Sequence, residues 1–234
     1  MKRLLVYTIA FLTGAVLLGL EIVASRVLAP YFGNSIFVWG SLMSVLLLAL
    51  SIGYFKKKNM ADRYPSFTSL AMVVFVASAF VLVLPLVYLP ASRFMVSLDL
   101  EFRMSVLLTS MLFFLLPSVL IGMVSPYIIK LSASELAVIG QTAGNIYSVS
   151  TMGSITGALG VSFFLIPVMG TRAIILLAGG MLILAGLLCL SAQVLAVRTS
   201  GRTSFQEAPG LELPQDGHGV SPAGICPQCV KKTA

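Results

Sequence analysis

Apolar stretches of membrane-spanning length fill the chain from Leu4 to about Leu195, and little else is left over. A helix needs about 20 apolar residues to cross a hydrocarbon layer roughly 30 Å thick. Six such runs can be drawn: Leu4 to Leu28, Phe37 to Tyr54, Ser69 to Tyr88, Ser105 to Val124, Gln141 to Ile166 and Arg172 to Leu195. They predict an all-α polytopic membrane protein with six transmembrane helices. A single lipid-facing strand would leave its backbone groups unpaired, and the unbroken runs lack the alternation of a membrane barrel. Composition agrees: 58% of residues are hydrophobic and 10% charged, with a mean hydropathy of +1.02. A soluble domain carries about 25% charged residues. Two regions follow, a transmembrane domain over 1–197 and a Gly-, Pro- and Ser-containing cytoplasmic tail over 198–234, expected to be disordered.

The net charge is +7. In a soluble protein such a balance suggests nucleic acid, but here basic loops explain it and no nucleic-acid partner is expected. Lys2, Arg3, Lys56, Lys57, Lys58, Arg63, Lys130 and the basic residues of the tail fall on one side of the six-span scheme. Arg93, Arg103 and Arg172 fall on the other. The bias places both termini in the cytoplasm, as in a multi-pass protein of a bacterial inner membrane. The run Leu4–Leu20 exceeds the 7–15 residues of a signal-peptide core and lacks a cleavage site, so it reads as a retained helix. Pro85 and Pro117 each remove a backbone donor and predict a loosened or kinked helix, and Pro126 predicts a break near the end of the fourth span.

Glu21 follows the run Leu4–Leu20, roughly 25 Å of helix, which places it in the outer part of the bilayer. An ionisable group at such a depth faces a protein interior or a water-filled cavity. Two readings stand beside each other: an interfacial carboxylate bonded to Ser25 or backbone groups, or one that grips a cation. Arg26, five residues on, lies about 140° round the helix and can snorkel to the interface. In the fifth run, Gly140 with Gly144 and Gly153 with Gly157 are small-xxx-small pairs, which let helix backbones approach closely. Gln141, Asn145 and Tyr147 would lie at the mouth of a polar path along the same helix. Asp62 and Arg63, in Ala61-Asp62-Arg63, can cap the next helix and bind carbonyls of a neighbouring one. In the tail, Cys226 and Cys229 with His218 supply three metal ligands where a closed zinc site takes four, a weak metal candidate. No hydrolytic, kinase or nicotinamide motif is present, and no cofactor is expected.

The segment Glu21-Ile-Val-Ala-Ser-Arg26 through Pro30, Gly33, Asn34, Trp39 and Gly40 resembles the opening of the spermidine synthase-like membrane proteins. These are bacterial proteins in which a helical, transporter-like region is often fused to an aminopropyltransferase domain. The resemblance continues through Ala61-Asp62-Arg63, Gly122-Met-Val-Ser-Pro126-Tyr127, Ala143-Gly144-Asn145-Ile-Tyr147 through Gly157, and Pro167-Val-Met-Gly170-Thr171-Arg172. Members usually carry Gly-Gly before the Ala-Asp-Arg, where this chain has Lys56-Lys57-Lys58. The resemblance implies a transporter-like fold; Glu21, a carboxylate that would attract an amine, points to a polyamine or other small cation as ligand, with Arg26, Asn34, Trp39, Asn145 and Tyr147 near it. The 39 residues after the sixth span are too few for the catalytic Rossmann-type domain, so enzymatic activity is not expected of this chain alone. A different class of function is a membrane anchor for a separately encoded soluble aminopropyltransferase-like enzyme. The six-helix count and Ala-Asp-Arg also resemble one half of a major facilitator-type bundle, which would need a partner, most simply a second copy in a homodimer.

Overall fold

The computed structural model describes the backbone of residues 2–63, 66–98, 101–132 and 139–203, and the side chains of 3–55, 66–98, 101–132 and 140–194. Among the described residues every regular element is helical. The elements are α1 (Lys2–Phe32), α2 (Ile36–Arg63) and α3 (Phe67–Ser97), followed by a fourth span, a fifth and a sixth. The fourth span comprises α4 (Phe102–Ser110), a π-helical segment (Met111–Leu115), α5 (Leu116–Gly122) and α6 (Val124–Ser132). The fifth comprises α7 (Ile139–Leu159), a second π-helical segment (Gly160–Leu165) and α8 (Ile166–Val168); the sixth is α9 (Thr171–Thr203). Six of these described helical stretches are long and apolar enough to cross a membrane. The chain is therefore built as a multi-pass membrane protein.

Large apolar side chains such as Leu47, Leu86, Phe163 and Phe164 point outward, as suits a molecule whose solvent is lipid. Helix association then depends on close packing and hydrogen bonds rather than on removing oil from water. The first and fourth spans are the most buried, each with 61% of its apolar window inside, against 11% for the fifth. The most extensive contact joins α1 to α7. A Cβ on Gly153 or Gly157 would run into the backbone of Phe11 or Ala15, and one on Gly14 into the Ser150 carbonyl. Ser154 Oγ donates to the Gly14 carbonyl across the same seam, at 3.0 Å. The second and fourth spans make a similar seam, where Gly53 faces the Val119 carbonyl and Gly122 faces Leu50. The third and sixth spans meet through Ser78 Oγ donating to the Gly179 carbonyl (2.9 Å) and Phe67 N–H donating to Gln193 Oε1 (3.0 Å).

Several sequence expectations change. Residues 56–63 belong to α2 instead of forming a loop; Lys, Met and Ala are good helix formers and extend the span beyond its apolar part. The N-cap of α3 is Ser66, its side chain accepting from Ser69 N–H at 3.1 Å. The side chains of Asp62 and Arg63 lie outside the described residues, as do Cys226, Cys229, His218 and the rest of 204–234. α3 runs through Pro85 and Pro90 without interruption. Pro117 behaves as expected: the carbonyl four residues before it loses its α-helical donor, and the preceding backbone opens into the π-helical turn. Pro167 does the same in the fifth span, where Ile166 N–H reaches back to the Val161 carbonyl. The break near Pro126 falls at Met123, between α5 and α6.

Candidate functional site

Glu21 is the acidic residue that the packing of α1 brings inside the bundle. It is 7% exposed, and its Oε1 has no hydrogen-bond partner. Because α1 continues to Phe32, Glu21 sits only about 5 Å beyond the midpoint of its span, deeper than the sequence alone suggests. Its surroundings come from three spans: Leu20 and Ala24 on α1, Leu42 and Leu46 on α2, and Phe114 and Ser118 on the fourth span. These enclose a void of about 10 Å³, close to the least space that holds one water molecule. Phe114 belongs to the π-helical turn and Ser118 directly follows Pro117, so the proline-widened backbone forms the wall opposite the carboxylate.

A larger groove of about 280 Å³ lies beside this void, and Leu46 lines both. Its α1 wall is Thr13, Gly14, Leu17 and Leu18, and Glu21 is the next turn on that face. Three of its hydroxyls share a chemistry. Thr13 Oγ1 donates to the Ile9 carbonyl (2.9 Å), Thr151 Oγ1 to the Tyr147 carbonyl (2.8 Å) and Ser154 Oγ to the Gly14 carbonyl (3.0 Å). Their protons are committed to backbone, so what remains for a ligand is lone pairs. Ser125 Oγ and Ser150 Oγ lie 3.3 Å apart across the fourth and fifth spans. Tyr54 and Tyr147 stand at the end of the groove nearer Lys56-Lys57-Lys58.

Of the residues singled out from sequence, Glu21 and Tyr147 line neighbouring spaces, whereas the other four do not join them. Arg26 is exposed and makes no described ion pair with Glu21, because five residues turn the helix through about 140°. Asn34 is exposed in the short connection after α1, where Gly33 takes a positive φ of 69° and lets the chain reverse. Trp39 is exposed at the start of α2 and Asn145 on α7. Ser25 does not bond to Glu21; its hydroxyl donates to the Ile22 carbonyl at 2.8 Å. Gly153 and Gly157 pack as expected, but Gly140 and Gly144 face open space. Sequence reasoning missed Thr13, Ser118, Ser125 and the small residues of α1. Polar or small residues recurring inside apolar runs were the available signal. Among the described residues, no cluster of His, Cys, Asp and Glu could hold a metal.

Comparison with protein-family models, curated proteins and solved structures finds no match to the chain.

Proposed function

We propose that the protein binds and moves a small organic cation, of the polyamine class, through the membrane. The observation that carries this reading is the unpartnered Glu21 Oε1 one helical turn beyond a groove where Thr13, Thr151 and Ser154 offer hydroxyl lone pairs. An ammonium group has three donors and no acceptor. Thr13, Thr151 and Ser154 would receive such donors in passing, and Glu21 would supply the opposite charge at depth, where an unpaired ion is costly. The groove is walled by α1, α2, the fourth span and α7. Exposed Gln141, Asn145 and Ser148 on α7 continue its polar character. A polar face is poorly suited to lipid. A second copy covering it would turn the groove into a closed path, as two six-helix halves do in major facilitator-type carriers. With both termini cytoplasmic, Tyr54 and Tyr147 would mark the cytoplasmic mouth.

The test is uptake of labelled spermidine into vesicles that contain the purified full-length protein. Saturable uptake is expected, lost on Glu21→Gln and retained in part by Glu21→Asp. Equal flux in Glu21→Gln and the parent would remove Glu21 from the mechanism. No saturable flux in the parent would defeat the carrier reading.

A further inference from the structure

A second cavity, of about 290 Å³, lies on another side of α1, between α7, the second π-helical segment and α9. Its walls are apolar except for Thr156, whose hydroxyl donates to carbonyls of its own helix; Gly19 and Val23 of α1, Gly160 and Val161 of the π-helical segment, and Ile175 and Ala178 of α9 help define it. The volume is near the small end of ordinary ligand sites, about 300 Å³. Its depth within the spans leaves the membrane's own hydrocarbon as the medium that reaches it. The widening at Gly160–Leu165 shapes one wall, and a Cβ on Gly160 would meet nothing within 4 Å.

Helical spacing directs two arginines toward one end of this cavity. On α1, Arg26 continues the face of Gly19 and Val23, at spacings of four and three residues. On α9, Arg172 stands three residues before Ile175, on the face that lines the cavity. Both arginines are exposed, and neither makes an ion pair among the described residues. Both belong to the end of the bundle where α1 finishes and α9 begins. That combination, an apolar slot with an arginine on each of two helices toward its end, matches the two parts of one molecule.

We propose that this cavity is a binding site for an anionic phospholipid. One acyl chain enters between α1, the π-helical segment and α9, and the phosphate is held by Arg26 and Arg172. Arginine suits this task because its fork of donors matches phosphate oxygens. The acyl chain supplies packing that the 290 Å³ space lacks. This site is separate from Glu21, which faces α2 and the fourth span, and does not depend on what the protein carries.

Native mass spectrometry of the full-length protein tests the proposal, using phosphatidylglycerol and phosphatidylcholine of identical acyl chains. The parent is expected to retain phosphatidylglycerol preferentially. Losing two guanidinium contacts in Arg26→Gln/Arg172→Gln is expected to weaken phosphatidylglycerol roughly tenfold or more and to erase the preference. Gly160→Leu, which fills the cavity, is expected to reduce retention of both lipids. The double variant changes only exposed side chains, so it carries the test even if Gly160→Leu fails to fold. Equal retention of the two lipids by the parent, or an unchanged preference in the double variant, would overturn the site.

Discussion

Glu21 and the seam glycines acquire their roles from what faces them, and each invites a specific test. Gly153 meets the backbone of Phe11, which cannot swing aside as a side chain can. Gly153→Ala is therefore expected to destabilise the bundle by about 3 kcal/mol, the upper part of the usual overpacking range. Gly144→Ala, which adds a methyl group in open space, is expected to stay within about 0.5 kcal/mol of the parent. Reversible unfolding in mixed detergent micelles would compare them. Ser154→Ala removes the hydrogen bond to the Gly14 carbonyl. Its expected cost in the same assay is about 0.6 kcal/mol, the average for a hydrogen bond between membrane helices. The sequence made Glu21 conspicuous because charge is rare in an apolar run. It could not give the partner: Ser25 lies on a suitable face, yet its hydroxyl is satisfied by its own helix. Likewise, small-xxx-small spacing marks both glycine pairs of the fifth span, but spacing does not say which part of a helix meets a neighbour.

At the scale of elements, the prolines decide the shape of the groove. Pro117 leaves the Phe113 carbonyl without its α-helical donor, and the π-helical turn sets the rotation of everything that follows. Restoring that donor with Pro117→Ala is expected to rewind the turn and rotate α5 and α6 by about 100°, the angle of one helical residue. A cysteine pair reports on this directly. Ser125 Oγ and Ser150 Oγ are 3.3 Å apart, so Ser125→Cys/Ser150→Cys should form a disulfide efficiently in a background with the native cysteines replaced. Adding Pro117→Ala is expected to suppress the cross-link, and an unchanged yield would show that the proline does not set the register. Element existence was legible because each apolar run is long. Element ends were less so, because helix propensity carries α2 through Lys56-Lys57-Lys58, and the cap of α3 is a serine, Ser66, that no charge or hydropathy signal marks out.

For the whole molecule, the half-bundle proposal requires a partner over the groove and the exposed polar residues of α7. Ser148→Cys, placed on that exposed polar face, is expected to cross-link two copies in native membranes. Leu187→Cys, on an apolar exposed part of α9, serves as the lipid-facing comparison and should give monomer. Dimer from both positions, or from neither, would argue against a specific second copy. The six-span plan was readable from hydropathy alone, whereas the pairing of first with fifth and second with fourth span was not. That pairing rests on Gly14, Gly53, Gly122, Gly153 and Gly157 meeting backbone or side chains of another span, contacts that no periodicity within a single helix can express.

The most direct test of the account is chemical labelling of Glu21 by a lipid-soluble carbodiimide, which reacts with protonated carboxyl groups in apolar surroundings. Protein in lipid vesicles would be treated with and without spermidine, digested, and the α1 peptide weighed by mass spectrometry. The expected result is one stable adduct on Glu21 whose yield falls as spermidine rises, while exposed Glu101 is untouched by the reagent. Glu21 left unmodified, or modified equally at every amine concentration, would contradict a buried carboxyl group that a cation can reach.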